Sequence, residues 1–285
     1  MGVILVTGAD GQLGLSLKKI SGDYPDCDFL FTDVVQLDIT DEKAVREVIE
    51  RSGADVIINC AAYTAVDKAE SEPEAARRIN ALGVGVLADA AARTGAAVVH
   101  ISTDYVFDGK ASEPYAEDAQ PHPSSVYGIT KAEGERLLLQ SGCRGAIVRT
   151  AWLYSEFGRN FVKTMLSLAS RCDSVSVVCD QRGAPTYATD LARAVMTLVR
   201  RGFESGVRIY HFTDEGECTW NRFAERIFAL SGKRCRVEAI TTEQYGAPAP
   251  RPSYSVLSLA SIKEAGVRVP KWEDSLAQCI EIIGK

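Results

Sequence analysis

The sequence predicts an α/β protein built on a doubly wound parallel sheet, with a smaller C-terminal α/β domain after it. Short apolar, β-branched runs alternate with longer helical patterns through the first half of the chain. The runs are apolar almost throughout, as strands covered by helices on both faces must be. A chain of 285 residues has room for one large domain or two sharing a long interface. Alternation of this kind specifies parallel strands joined by right-handed crossovers.

The elements follow in order. VILVT (3 to 7) reads as the first strand and a helix opens at Gln12. FLFTD (29 to 33) precedes a helix from Asp41 to Arg51, and DVIIN (55 to 59) precedes one from Pro73 to Thr94. AAVVHIS (96 to 102) and GAIVRT (145 to 150) are separated by a helix from Val126 to Gln140. After Thr150 the rhythm loosens into helix Asn160 to Ser170, strand Ser174 to Cys179, helix Thr189 to Arg201, strand Arg208 to Phe212 and helix Thr219 to Leu230. Pro248, Pro250 and Pro252 bar a continuous helix through the segment from Ala239 to Ser255. A boundary near residue 150 therefore divides residues 1–150 from residues 151–285, with the option that the chain crosses back to the first domain.

Composition narrows the function. Hydrophobic residues make up 46% and charged residues 25%, ordinary globular values that exclude a disordered or fibrous chain. Thirty-two Lys and Arg against 38 Asp and Glu give −6 with no basic run, which argues against a nucleic-acid partner. No apolar window approaches a membrane span. MGVILVTG carries neither a basic flank nor a cleavage site, and the expected location is the cytoplasm. The eight cysteines contain no C-x-x-C pair, so reduced thiols and no metal site are expected.

Gly8, Gly11 and Gly14 follow the first strand and open the first helix. Glycine is needed where backbone approaches a pyrophosphate closely, and a helix N-terminus turns free N–H groups toward that anion. Asp33 ends the second strand, where a carboxylate accepts both ribose hydroxyls of an adenosine and repels a 2′-phosphate. No Arg or Lys lies in the glycine loop or between Asp33 and Thr40, so the sequence leans toward NAD while leaving NADP open. Asp38 and Ile39 would flank the adenine, as in similar cofactor sites.

Tyr127 and Lys131 are four apart on a predicted helix, hence on one face, and Thr103 ends the fourth apolar strand upstream. This Tyr-x-x-x-Lys pair occurs once, about as often as chance allows; its place behind a dinucleotide loop gives it weight. An ammonium beside a phenol is expected to pull the phenol toward the working pH range. Tyr127 then gives a proton to a carbonyl oxygen, Thr103 aims that oxygen, and Lys131 also holds the nicotinamide ribose. The hydride comes from the cofactor.

These residues resemble the extended short-chain dehydrogenase/reductase family, and within it the dTDP-4-dehydrorhamnose reductases, nearly end to end. The resemblance is carried by TGADGQLG (7 to 14), NCAAYTAVDKAESEP (59 to 73), STDYVFDG (102 to 109), YGITK (127 to 131), RTAWLY (149 to 154), NFVKTML (160 to 166), DQRGAPTYATDLA (180 to 192) and RPSYSVL (251 to 257). It implies a Rossmann-type domain over residues 1–150 and a substrate-binding domain over residues 151–285. It also implies reduction of the C4 ketone of dTDP-4-dehydro-L-rhamnose with NADH or NADPH, in the synthesis of cell-surface polysaccharide, with Thr103, Tyr127 and Lys131 as the catalytic set.

The cofactor contacts it implies are Gly8, Gly11, Gln12, Leu13, Gly14, Asp33, Asp38, Ile39, Ala61, Ala62, Tyr63 and Lys131. On the sugar side it implies Thr64, Val66, Thr103, Asp104, Tyr105, Tyr127, Trp152 and Asn160. Trp152 directly follows a strand, where an exposed ring can cap a deoxysugar, with ordinary core packing the open alternative. Arg182 and Arg251 are candidates for the diphosphate or thymine, Arg251 the better because Pro252 fixes its approach; solvated arginines are the alternative. Some family members bind Mg²⁺ at a dimer contact, but no clustered carboxylates here support it, and monomer and homodimer both stay open. Two alternatives remain: a nucleotide-binding regulatory subunit of the methionine adenosyltransferase type, and a reductase or epimerase of another nucleotide sugar.

Overall fold

A computed structural model describes residues 2–284. Its main sheet has six parallel strands: β1 (Val3–Thr7), β2 (Asp28–Phe31), β3 (Ala54–Asn59), β4 (Ala97–Thr103), β5 (Arg144–Thr150) and the edge strand Val207–His211. Their spatial order runs Val207–His211, β5, β4, β3, β1, β2, so the chain starts inside the sheet and winds outward in both directions. All five pairings are parallel, with Val6 opposite Ile58 and Val99 opposite Ala146.

Strand geometry decides which side chain meets which helix, because neighbours along a strand point to opposite faces. Ile4, Val6, Ile58, Val99 and Val148 face one way and pack on Leu13 and Leu17 of helix α1 (Gln12–Ile20) and on Leu191, Val195 and Leu198 of helix Ala188–Arg201. Their neighbours Leu5, Ile57, Val98 and Ile147 face the other way, onto Val45 and Ile49 of helix α2 (Glu42–Ser52), Leu87 of helix Gly83–Thr94 and Leu138 of helix Val126–Gln140. The near-continuous apolar character of the strands is thus used on both faces. Helix α2 starts where the Asp41 carboxylate accepts the Ala44 N–H and ends at Gly53 in the left-handed region, φ 63°.

The helix expected from Pro73 to Thr94 is interrupted. Pro73–Arg77 and Gly83–Thr94 are α-helical, and Arg78–Leu82 between them is a π-turn, a form that clusters at functional sites.

Beyond Thr150 the chain does cross back. Helix Ala188–Arg201 lies against α1, and Val207–His211 hydrogen-bonds to β5 with Ile209 opposite Ile147. The remaining segments build a second core, in which Ser174–Val178 pairs with Arg236–Ile240 and Val162, Phe223, Ile227, Trp272 and Leu276 cluster. Strand Arg236–Ile240 and helix Trp272–Ile283 were not expected from the sequence. The strand's alternation is weak, with Arg236, Glu238 and Ala239 all exposed. The cysteines form no disulfide among the described residues, and no helix among the described residues is long and apolar enough to cross a membrane.

Candidate active site

The carboxyl ends of β1 to β5 border a cleft of about 1000 Å³. Gly8 sits at φ 64°, and a Cβ there would stand 2.5 Å from the Ala61 backbone nitrogen, so only glycine lets the two loops touch. Gly14 faces away from the cleft and packs α1 on the strand, where a Cβ would lie 2.5 Å from Ala9 Cα. The N-cap of α1 is Gly11, which offers no side-chain acceptor, and no acidic residue occupies the first turn. The N–H groups there stay available to an anion, so the loop fits a dinucleotide diphosphate.

Asp33 lines the same cleft, its carboxylate accepting the Asp10 N–H at 2.9 Å and the Val34 N–H at 2.8 Å. Asp38 accepts the Thr40 N–H and hydroxyl, which hold its carboxyl below the usual range, with burial opposing. The absence of a basic residue inferred from the sequence between Asp33 and Thr40 does not hold in space. Arg78, brought over from the π-turn, lies 3.2 Å from Asp38 and 2.8 Å from Thr40 Oγ1 and lines the cleft. Its separation of 40 positions from Asp38 hid it from a local reading. Ile39, Ala61 and Ala62 also line the cleft. Tyr63 is not among the lining residues; its hydroxyl donates to Glu72 at 2.7 Å and its N–H to Asn80 Oδ1 at 2.8 Å. Asn80, buried in the π-turn, also donates to the Tyr63 carbonyl and to Thr130, and so fastens the Ala61 to Tyr63 loop to helix Val126–Gln140. Motif spacing gave no sign of it.

Thr103 ends β4, while Tyr127 and Lys131 share one face of helix Val126–Gln140, whose N-cap Ser125 accepts the Gly128 N–H at 3.1 Å. All three line the cleft. Thr103 donates its hydroxyl to Asp104 at 2.9 Å and accepts the Tyr105 N–H at 3.2 Å. Tyr105 meets the Tyr127 ring edge-on at 5.5 Å. Lys131 is 1% exposed and donates to the Ile101 carbonyl at 2.6 Å.

The expected electrostatics are corrected here. Burial pushes the Tyr127 phenol up to about 12, opposed by a hydrogen bond with Thr103, and pushes Lys131 down to about 8, opposed by Glu135. In this dry site the desolvation of each charged form outweighs any help the amine gives the phenolate. Burial likewise raises Asp104 to about 6. One turn beyond Lys131, Glu135 and Arg149 form a buried ion pair at 2.7 Å, with side chains 3% and 2% exposed, which ties the catalytic helix to β5.

On the sugar side, Thr64, Val66, Asp104, Tyr105 and Trp152 line the cleft. Trp152 has φ 48°, the one non-glycine with positive φ among the described residues, and its ring stacks on Trp220 at 3.7 Å. The ring thus packs on one face while the residue borders the cleft. A bulky side chain held at positive φ is strained.

Three residues expected on the sugar side lie outside the lining, as do Gly14 and Tyr63 on the cofactor side. Asn160 caps helix Phe161–Leu168 by accepting the Lys163 N–H at 3.1 Å, and reaches the cleft only through Gln12. Arg251 pairs with Asp67 at 2.9 Å, next to Val66. Arg182 pairs with Glu217 at 2.5 Å and borders a separate depression with Arg222, Arg226 and Trp272. Conversely, Arg159 lines the cleft. It was missed because it lies between the segments 149–154 and 160–166 that carry the resemblance.

The RmlD substrate binding domain family matches residues 1–284. The chain is 44% identical over 286 residues to a dTDP-4-dehydrorhamnose reductase of Aggregatibacter actinomycetemcomitans, covering 97% of each chain. The crystal structure of a dTDP-4-dehydrorhamnose reductase from Clostridium acetobutylicum superposes with a TM-score of 0.94 at 42% identity, covering 99% of this chain and 100% of that one. That of the dTDP-4-dehydrorhamnose reductase from Bacillus anthracis, in complex with NADP, gives 0.92 at 38% identity over 98% of this chain and 99% of that one. Sequence and three-dimensional likeness thus run the length of the molecule, and the chain belongs to the RmlD substrate binding domain family.

Proposed function

We propose that this protein is an NAD(P)H-dependent dTDP-4-dehydrorhamnose reductase, converting the C4 ketone of dTDP-4-dehydro-L-rhamnose to the alcohol of dTDP-L-rhamnose. The observation that carries this reading is a single cleft in which the glycine loop and the set Thr103, Tyr127 and Lys131 meet. The nicotinamide cofactor supplies the hydride when bound. Gly8, Gly11 and the first turn of α1 bind its diphosphate, and Asp33 and Asp38 face its adenosine half.

Tyr127 donates the phenolic proton to the C4 oxygen as that oxygen gains charge. A phenol pushed up to about 12 is fully protonated at neutral pH, the state a proton donor needs. The Thr103 hydroxyl rotates from Asp104 to hydrogen-bond the same oxygen, a change a single rotor allows. Trp152 borders the sugar, and Arg251, released from Asp67, takes the substrate diphosphate. The part of residues 151–285 that does not cross back acts as the substrate-binding domain. The protein works in the cytoplasm on a small-molecule nucleotide sugar, with no nucleic-acid or membrane partner, as a monomer or homodimer.

The test follows loss of NADH or NADPH absorbance with 4-keto-6-deoxy-L-sugar nucleotides bearing dTDP, UDP or GDP, with the product identified as dTDP-L-rhamnose. Turnover with the dTDP sugar supports the reading. Turnover only with another base reassigns the substrate, and cofactor binding without turnover on any of them overturns the enzyme.

A further inference from the structure

Behind the catalytic lysine runs a buried chain of side chains that the reaction outlined above does not use. Thr7, Asn59 and His100 are each 0% exposed and lie on β1, β3 and β4, side by side at the core of the sheet. Asn59 Oδ1 accepts the backbone N–H of Ala61 at 3.1 Å and the hydroxyl of Thr7 at 2.7 Å. A backbone N–H can only donate, so the orientation of the Asn59 amide is fixed and its Nδ2 faces His100 Nδ1 at 3.1 Å. Because Nδ2 is itself a donor, His100 Nδ1 carries no proton. Burial, with the charge of Lys131 adding to it, holds the imidazole well below its ordinary range, so it is neutral and its one hydrogen sits on Nε2. That nitrogen lies 3.2 Å from Lys131 Nζ.

We propose that His100 is a positioning residue for Lys131: Asn59 locks its imidazole as the Nε2–H tautomer, and that N–H, which can donate to the neutral amine but not to the ammonium, lowers the pH at which Lys131 Nζ takes up its proton. An ammonium would set two donors against each other at this contact, and Asn59 cannot turn over to relieve it without stranding the Ala61 N–H. Lys131 keeps one donated bond, to the Ile101 carbonyl. The other groups around it do not reverse this preference. Cys60, after β3, is pushed up to about 12 by burial and is uncharged. Tyr127, on the same helix, is a neutral phenol, and the Asp104 carboxylate after β4 accepts the Thr103 hydroxyl. Glu135, one turn away, favours the ammonium, but both its oxygens are occupied by Arg149. The inference deepens the reductase reading, since it says what sets the charge of the lysine in that site.

Nitrogen NMR of histidine-labelled free protein tests it without substrate or cofactor. The expected result is a neutral His100 with the proton on Nε2. A proton on Nδ1, or a charged ring, near neutral pH overturns the proposal whatever the enzyme's substrate. Asn59→Asp presents an acceptor to Nδ1 and is expected to move the proton there, leaving Nε2 to accept from an ammonium. The limb of the pH profile for turnover that follows Lys131 is then expected to rise by about one unit or more. His100→Gln offers Lys131 an acceptor at similar length and is expected to shift the same limb in the same direction. Two folded variants, judged by circular dichroism, whose limb stays at the wild-type position overturn the proposal. If the tautomer is as expected and no nucleotide sugar is turned over, the reductase reading fails and this one stands.

Discussion

Asn160 Nδ2 donates to Gln12 Oε1 at 2.9 Å across 148 positions of sequence, joining the helix behind the glycine loop to the segment that follows residue 150. The Ser155 hydroxyl reaches the same oxygen at 3.1 Å. Asn160→Ala removes a helix cap and one of these bonds, a loss of about 1 to 2 kcal/mol. The expected outcome is a melting temperature lower by a few degrees and a weaker NADH dissociation constant, because Gln12 borders the cleft. Unaltered cofactor binding in a thermal and fluorescence titration would remove Gln12 from the cofactor site.

Tyr127→Phe keeps the ring against Tyr105 and deletes only the hydroxyl. Folding and cofactor affinity are expected to survive while turnover falls by roughly 10² or more, the scale of a lost general acid. Near-normal turnover in steady-state assays would exclude Tyr127 as proton donor. Lys131→Met is expected to lose activity and to bind NADH more weakly as well, the outcome that a lysine holding the nicotinamide ribose predicts.

The two arginines separate cleanly. Arg251→Ala is expected to raise KM for the sugar nucleotide and leave the NADH dissociation constant alone, because its partner Asp67 adjoins the cleft residue Val66. Arg182→Ala, in an exposed pair with Glu217 away from the cleft, is expected to show wild-type kinetics. A KM effect at Arg182 equal to that at Arg251 would give Arg182 the share in the diphosphate that the sequence left open. Trp152→Ala is expected to raise the same KM; simple melting without a kinetic change in the folded fraction would leave it a core residue.

Asp104 carries a pH signature. Its folded value of about 6 lies above the ordinary 3.8, so the folded protein holds that proton more tightly than the unfolded chain does. The contribution is most stabilising below about pH 4 and is lost as pH rises through 6, an effect of order 3 kcal/mol over that window. Asp104→Asn is expected to flatten the fall. Denaturant unfolding of both proteins from pH 4 to 7 checks it, and the difference isolates Asp104 from the other buried carboxylates, Asp190 and Asp214, whose values are also raised. Parallel curves would refute the assignment.

Asp33 and Arg78 both line the cleft and are expected to oppose each other in cofactor choice. Arg78→Ala is expected to raise KM for NADPH about fivefold more than for NADH, the worth of one exposed charge contact. Asp33→Ser is expected to shift the ratio toward NADPH by removing a like charge, at some loss of NADH affinity. Competition assays with both cofactors decide; identical ratios in both variants would mean that another residue reads the ribose.

Local chemistry was legible in the sequence and long-range chemistry was not. The steric need for glycine at Gly8 was legible because it lies within a few residues of a strand and a helix start, whereas Gly14, expected at the cofactor, packs against Ala9 instead. Tyr127 and Lys131 could be paired because helical spacing is local. Their ionisation could not be judged, since it depends on burial by elements distant in sequence. His100 looked like an ordinary strand residue, and only the register of β3 beside β4 puts Asn59 against it. Arg78 needed a π-turn to reach Asp38, and nothing in RINAL announces one.

The return of the chain to the large sheet has a consequence for anyone cutting or recombining this molecule. A fragment ending at Thr150 would present β5 as a bare edge, with a row of unpaired N–H and C=O groups where Val207–His211 now binds. It would also strip Leu191, Val195 and Leu198 from one face of the sheet. The cofactor-binding half is therefore not a transplantable module. A chimera that swaps sugar specificity with a relative must exchange the segments around the second core and leave Ala188–Arg201 and Val207–His211 with their native partner.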